Sequence, residues 1–260
     1  MTPDLAAAIA GAYRVFGRYR MSGAVTVCRC NVCVGPDDAR ALSILPLTSI
    51  SSSLLAQYTH SAHEWDDDVA YEFRYFLPRY LDLIAAGDAP STTGAEICLE
   101  RLHRADYRNA WPAAERDAID AFFLAQLRAD LLTPPLLDAT GLPAWHSDPA
   151  EDTLCMAAHA GGDVAPLLAA WDAERGRLPV LHIAVMVATA DWIGNRLANR
   201  GWVGLPRPHV EAAHDAVMRW LLRPATRDRL EAACLDEQDD GAAALLSLAE
   251  TIVAGRLPPA

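Results

Sequence analysis

The sequence predicts an all-α protein, a multi-helix bundle or short helical array of about ten to twelve helices. Apolar residues recur at helical spacing along most of the 260-residue chain. Prolines stand at first-turn positions and glycines follow last turns, which is typical of helix boundaries. Short connections between predicted helices favour antiparallel packing of neighbours. An irregular loop that contains three cysteines interrupts this pattern near the N-terminus.

The first half of the chain is predicted to be a series of helices broken by one loop. Thr2 followed by Pro3 begins the first helix, Ser49 is a suitable N-cap for the third, and Asp66 is one for the fourth. The irregular loop covers residues 20–35, and 25–27 is its candidate for a short strand. The predicted helices span about 3–19, 36–45, 49–63, 66–86, 94–105 and 112–132.

Two of these helices carry a distinct apolar stripe, so we expect each to bury one face. In the helix at 66–86 the stripe comprises Val69, Phe73, Phe76, Leu77, Tyr80 and Ile84. The opposite, polar side of the same helix comprises Asp68, Glu72, Arg79 and Asp82. In the helix at 112–132 the stripe comprises Ile119, Phe122, Phe123, Leu127 and Leu131.

The second half is also predicted to be helical, after a stretch at 133–148 that is rich in prolines and polar residues. This stretch is the best candidate linker. It would divide the chain into an N-terminal helical subdomain at 1–132 and a C-terminal helical subdomain at 149–260, although one continuous domain is also compatible. The predicted helices span about 149–160, 163–175, 179–199, 207–222, 225–236 and 240–255, and the helix at 179–199 is apolar on nearly all sides.

Composition and charge exclude several classes of protein. Apolar residues make up 52% of the chain, which argues against disorder, but no apolar run reaches the length of a membrane-spanning helix. The N-terminus lacks a basic region before its apolar residues, so we expect no secretory signal and a cytoplasmic location. The net charge of −12 argues against nucleic-acid binding, because phosphate recognition depends on clustered positive charge. An acidic surface instead favours a basic protein partner.

The most distinctive local feature is a knuckle of three cysteines, Cys28, Cys30 and Cys33. In a reducing compartment, such tight clustering indicates metal binding or redox chemistry and argues against structural disulfides. A structural zinc ion takes four ligands, and either His60 or His63 is a candidate for the fourth. The alternatives are a Cys30/Cys33 redox couple and three ordinary thiols. The remaining cysteines, Cys98, Cys155 and Cys234, are predicted to lie in the core.

A second candidate site is a cluster of imidazoles and carboxylates between residues 60 and 68. It comprises His60, His63, Glu64, Asp66, Asp67 and Asp68. The cluster is compatible with a catalytic divalent metal ion. However, its H-x-x-H-E order differs from the H-E-x-x-H pattern of zinc proteases. Acids in a first helical turn are also explained by the helix dipole.

His182 is the third candidate. Together with Asp191 and Asn195 in the same predicted helix, it is compatible with the lining of a pocket. The simpler interpretation is a histidine that is hydrogen-bonded within the core.

The region at about 28–120 resembles a family of bacterial proteins from GC-rich genomes. The motifs that carry the resemblance are Cys30-x-x-Cys33, Trp65-Asp66, Phe73-Arg74-Tyr75-Phe76-Leu77-Pro78-Arg79 and Trp111-Pro112-Ala113-Ala114-Glu115. The family pattern often has a histidine where this sequence has Tyr75. The resemblance implies a bacterial, cytoplasmic protein, and it implies no activity and no catalytic residues.

The leading functional hypothesis from the sequence is a non-enzymatic, acidic, α-helical module that binds a basic protein, of the immunity or inhibitor type, with zinc as a structural staple. The charge and the lack of a recognisable catalytic motif favour it. Two alternatives remain: a metal-dependent hydrolase that uses the His60–Asp68 cluster, and a thiol-based metal or redox sensor.

Overall fold

The structure, a computed structural model, describes residues 1–21, 23–28, 30, 33–62, 67–138, 148–198, 201–202 and 207–257, with only the backbone described at 67 and 68. The chain forms two compact units. The first comprises Met1–Gln126 with His159–Gly162, and the second comprises Leu127–Ala158 with Asp163–Ala260. The division at 133–148 that the sequence predicts stays a prediction, because 139–147 lies outside the described residues.

Helices dominate both units, and the all-α prediction is confirmed. In the described part of the chain, the α-helices are α1 (Pro3–Phe16), α2 (Pro36–Ile44), α3 (Ser52–His60), α4 (Asp67–Ala85), α5 (Glu100–Arg104), α6 (Tyr107–Ala110), α7 (Ala113–Leu131), α8 (Pro149–His159), α9 (Ala165–Ala173), α10 (Arg177–Thr189), α11 (Pro208–Leu221), α12 (Pro224–Asp236) and α13 (Asp240–Ala254). Short 3₁₀ turns span Leu47–Ser49 and Ala95–Ile97, and two short strands, β1 (Trp192–Ile193) and β2 (Arg196–Leu197), form a hairpin. None of these helices combines the length and the apolarity needed to cross a membrane.

The core of the first unit is built on α1 and α4, which pack together. The Thr2 hydroxyl caps α1 by accepting a hydrogen bond from the Leu5 backbone N–H at 3.3 Å. The predicted stripe of α4 is buried throughout, and so is the predicted stripe of α7. Amphipathic spacing therefore located both buried faces correctly.

The core of the second unit is built on α10, which packs against α12 and α13. Residues 179–187 of α10 are all buried, as expected for a helix that is apolar on nearly all sides. The indole N–H of Trp171 donates to the Pro179 carbonyl at 2.9 Å, and the Trp171 ring packs on Trp220 with centroids 5.1 Å apart. The central position predicted for this helix is therefore observed.

One polar side chain interrupts the apolar surface of α10. His182 is fully buried; its Nδ1 donates to Asp148 Oδ2 at 2.6 Å, and its Nε2 donates to the Thr133 carbonyl at 2.8 Å. Both partners are acceptors, so the ring satisfies both only when it is doubly protonated. Burial acts to lower the pKa of His182, but the hydrogen bond to Asp148 and its negative charge outweigh burial and raise it.

Asp148 has a second role at the start of α8. Its other oxygen, Oδ1, accepts the backbone N–H of Ala150 at 2.9 Å, which caps the helix. The single carboxylate thus ties α8 to α10, while the Thr133 carbonyl ties the end of α7 to the same ring. The interpretation of His182 as a hydrogen-bonded core histidine agrees with this geometry.

The helix predicted at 179–199 is too long, because α10 ends at Thr189. Beyond it, β1 and β2 pair in antiparallel fashion around Gly194, whose φ of 60° lies in the left-handed region. Gly194 and Asn195 form a two-residue hairpin loop, a signal that the apolar helical pattern concealed. Asp191 and Asn195 are exposed near this hairpin and do not share a helix with His182.

Other boundaries also differ from the predictions. Ser51, rather than Ser49, caps α3, because Ser49 belongs to a 3₁₀ turn and the Ser51 hydroxyl accepts from the Leu54 N–H at 3.2 Å. The helix predicted at 94–105 is divided into the 3₁₀ turn at Ala95–Ile97 and α5. After α5, Asp106 adopts a left-handed conformation with a φ of 47° and separates α5 from α6. Residues 25–27 form no strand with any described part of the chain.

The buried ion pair predicts how stability depends on pH. The pKa of His182 is higher in the folded state than in the unfolded state, where it is about 6.5. The contribution of His182 to the free energy of unfolding is therefore fully present below about pH 6.5 and is lost as the pH rises through the folded-state pKa. We expect His182→Ala to lower the free energy of unfolding by about 3–5 kcal/mol at pH 6, because it leaves Asp148 buried without its partner. Urea unfolding from pH 5.5 to 9 measures both effects.

The matched control is His103→Ala, which removes an exposed imidazole. The free energy of unfolding of His103→Ala should still fall as the pH rises above neutral. That of His182→Ala should change much less over the same range. Equal pH slopes for the wild type and His182→Ala would contradict a charged His182.

Candidate metal centre

The three cysteines of the knuckle converge in space. The Sγ atoms of Cys28, Cys30 and Cys33 all lie within 4.8 Å of one another, and the Cys30 and Cys33 sulfurs are 3.3 Å apart. Cys30 is exposed, whereas Cys28 and Cys33 are half-buried, and none of the three is in a disulfide. Residues 29, 31 and 32 lie outside the described part of the chain. The cluster therefore reaches the surface at Cys30.

The backbone leading into the knuckle is held by side chains from three different helices or helix ends. The Val25 N–H donates to the Ser43 hydroxyl of α2 at 2.9 Å. The Thr26 N–H donates to the Glu72 carboxylate of α4 at 3.0 Å. The Cys28 N–H donates to the hydroxyl of Ser61, just after α3, at 2.7 Å. Side-chain acceptors thus take the place of a partner strand along this extended segment.

Glu72 is the strongest of these anchors. Besides the Thr26 N–H, it accepts the Thr26 hydroxyl at 2.9 Å, so one carboxylate takes both polar groups of that residue. Glu72 lies on the polar stripe of α4, yet it is only 9% exposed. Helical periodicity gives the direction of a side chain from its helix, but it does not reveal a loop that covers it.

Ser43 and Ser61 were also missed by sequence reasoning. Ser43 accepts from Val25 and donates to the Ala39 carbonyl at 2.8 Å, so its single O–H donor is already used. Ser61 is 7% exposed. The available signal was indirect: an extended segment without a strand partner needs acceptors for its N–H groups, and short polar residues at helix ends often supply them.

Apolar residues add to this anchoring. Val25 before the knuckle and Val34 after it are both buried, so the loop is pinned to the core on each side of the cysteines. Contacts of the protein itself hold the backbone as far as Cys28.

The thiols of the knuckle resist ionisation in the absence of a cation. The backbone N–H of Cys30 acts to lower the pKa of the Cys28 thiol, but hydrogen bonding to the Cys30 thiol, partial burial and the Cys33 thiol outweigh it and raise the pKa. Clustered thiols resist ionisation because each thiolate repels the next. A metal ion removes this penalty by supplying positive charge. Thiolates bound tetrahedrally to zinc lie about 3.8 Å apart, given a Zn–S bond of about 2.3 Å. The three sulfurs lie within 4.8 Å of one another, so a small rearrangement would bring them to that spacing.

Of the two predicted histidine ligands, only His60 is described, and it does not belong to the cysteine cluster. His60 ends α3, and its Nε2 accepts the Thr92 backbone N–H at 3.1 Å. Within the described residues, the group that could hold a metal ion comprises only the three cysteines. His63 lies outside the described residues, so its role as fourth ligand stays a prediction, as does that of His60.

Most of the acid-and-imidazole cluster predicted for a hydrolase lies outside the described part of the chain. Residues 63–66 lie outside the described part of the chain, and the side chains at 67 and 68 are not described. The hydrolase alternative gains no support from the described geometry.

The other three cysteines differ from the knuckle in environment. Cys98 and Cys155 are buried, and Cys234 is half-buried with its sulfur 3.5 Å from the Ala243 carbonyl. Burial, with a smaller effect from Glu96, raises the pKa of the Cys98 thiol to about 12. Cys98 is therefore an inert thiol and a useful control.

Residues from two of the sequence motifs form a structural cluster elsewhere in the first unit. Glu115 is fully buried, accepts the Tyr19 hydroxyl at 2.5 Å and pairs with Arg18 and with Arg74, whose Nε is 3.4 Å away. The Arg74 guanidinium also stacks over Trp111 at 4.2 Å. A structural role in packing around a buried charge thus accounts for Arg74, Trp111 and Glu115 in the two sequence motifs.

Comparisons of the chain with protein-family models, curated proteins and solved structures found no match. The resemblance to a bacterial family stays a prediction. The functional inference accordingly rests on the geometry of the chain's own residues.

The anchoring role of Glu72 can be tested through the reactivity of the knuckle. Glu72→Ala removes the acceptor of both Thr26 groups, so we expect the loop to open more often and half-buried Cys28 to react about tenfold faster with iodoacetamide in chelator. Mass spectrometry of peptides from timed reactions measures the rate at each cysteine.

Glu211→Ala, which alters an exposed glutamate of α11, is the control and should leave the rate at Cys28 unchanged. Unfolding of Glu72→Ala would expose Cys98 as well, so its continued protection shows that the fold is intact. An unchanged rate at Cys28 in the folded Glu72→Ala variant would refute the anchoring role.

Proposed function

We propose that the chain is a thiol-based metal sensor that binds Zn²⁺ reversibly through Cys28, Cys30 and Cys33. The observation that carries the proposal is the convergence of three cysteine thiols on a loop that the protein anchors by its own side chains. Thiolate ligands suit zinc, and a histidine, an acidic residue or water completes the fourth position.

The anchoring supports a sensor more than a structural staple. In a staple, binding free energy is folding free energy, and removal of the metal unfolds the domain. Here Val25, Val34 and the hydrogen bonds of Glu72 and Ser61 support the loop independently of a metal. Gain and loss of the ion can therefore occur while the rest of the first unit stays folded.

Accessibility and chemistry also support reversible binding. Cys30 is exposed, which gives a metal donor or a chelator a path to the site. Because zinc must displace the protons of the thiols, affinity should fall as pH falls. The proposal places the protein in a reducing compartment such as the cytoplasm, where the thiols stay available.

Metal content tests the proposal directly. Protein purified without chelator should contain about one zinc per chain, and Cys30→Ser should lose it, because two thiolates hold zinc far more weakly than three. Cys98→Ser should keep its zinc, since Cys98 is buried outside the knuckle. Elemental analysis of the purified variants measures the content.

Further measurements separate a sensor from a staple. Chelator-treated wild type should retain its helical circular dichroism, whereas loss of the helical signal would indicate a structural zinc. Release of zinc by His60→Ala or His63→Ala would identify the fourth ligand. A wild type that neither contains zinc nor takes it up from a buffered zinc solution would overturn the proposal.

A second candidate function is the acidic module that binds and inhibits a basic protein. The net charge of −12 is the observation that favours it. The two functions are compatible, because metal binding at the knuckle can change the affinity of the protein for a basic partner.

Electrostatic recognition has a distinct kinetic signature. If a basic protein is the partner, its association rate should fall about tenfold or more between low and high salt, because the Debye length shortens from about 30 Å at 0.01 M to about 8 Å at 0.15 M. Stopped-flow or surface-based kinetics with a basic protein that copurifies from the native host measures this. Association that is insensitive to salt would count against electrostatic recognition.

A further inference from the structure

A groove lies beside the knuckle in the first unit. It has a volume of about 670 Å³ and is lined by residues 23–25 and Val27 before the knuckle and by residues of α2. This volume is within the range of about 300–1,000 Å³ typical of small-molecule sites. Cys30 also lines it, so the groove and the cysteine cluster share one side chain.

We propose that this groove binds a small aliphatic carboxylate, with its chain against the valines and its carboxylate paired with Arg40. The inference goes beyond metal binding and does not require the knuckle to be occupied. It follows from the apolar walls of the groove and from Arg40, the one charged side chain among its described lining residues.

The walls suit an aliphatic chain. Val25, Val27, Val34, Ala39 and Ile44 supply apolar surface, and Ile44 is 67% exposed despite that character. None of the described lining residues is aromatic, so nothing offers a face on which a ring would stack. An alkyl chain would cover the exposed apolar surface without needing hydrogen bonds.

Arg40 supplies the charge. It is exposed on α2 and lines the groove, and within the described part of the chain no carboxylate pairs with it. The Ser43 hydroxyl, which also lines the groove, is occupied by Val25 and Ala39. A ligand's polar end therefore has the Arg40 guanidinium as its partner, and a carboxylate matches that group in charge and geometry.

The test uses hexanoate, octanoate and decanoate with 1-octanol as the uncharged probe, measured by calorimetry on the full chain. Affinity should rise about fourfold for each added methylene that becomes buried. Arg40→Gln should weaken octanoate about tenfold and leave 1-octanol nearly unchanged. Arg14→Gln, an exposed arginine of α1, is the matched control and should change neither.

A second variant tests the groove by filling it, without changing its charge. Ala24 is exposed and lines the groove, so Ala24→Phe should fit the fold while weakening octanoate and 1-octanol alike. Bound octanoate should also slow alkylation of Cys30 without affecting Cys98, because only Cys30 lines the groove.

Several results would overturn the inference. Failure of the wild type to bind any of the carboxylates would do so, and so would binding that neither Arg40→Gln nor Ala24→Phe weakens. All titrations are repeated with chelator and with zinc. Equal binding in both supports the assignment to Arg40, whereas binding only with zinc would show that the carboxylate ligates the metal instead.

Discussion

The backbone N–H groups of the extended segment 25–28 need acceptors, and they have no partner strand within the described residues. Ser43, Glu72 and Ser61 provide these acceptors from α2, α4 and the end of α3. An unsatisfied buried N–H costs about 1–3 kcal/mol, so the three contacts together decide where the loop lies. The convergence of the cysteines, and the groove beside them, both follow from that placement.

Buried charge has a comparable role in the framework of each unit. In the first unit, Glu115 draws together Arg18, Tyr19 and Arg74. In the second, Asp148 joins the first turn of α8 to His182 of α10. Such groups are costly to leave without partners, so they restrict how the helices can pack even where their net contribution to stability is small.

The sequence predicted what depends on local pattern and missed what depends on distant contacts. The buried stripes of α4 and α7 follow from helical periodicity, and the proximity of three cysteines follows from their spacing. The burial of Glu72 on the polar stripe of α4 was not predicted, because its partner Thr26 is 46 residues away along the chain. The hairpin after α10 was missed because an apolar run continues up to its Gly-Asn turn.

The central claim is that the protein's own side chains, and not the metal, hold the loop that carries the knuckle. Hydrogen exchange of the backbone amides of Val25, Thr26 and Cys28 tests it most directly, measured by NMR in zinc-loaded and in chelator-treated protein. The account predicts protection of all three amides in both states. Exchange of these amides at the rate of an unstructured chain in the metal-free protein, with the core helices still protected, would contradict it.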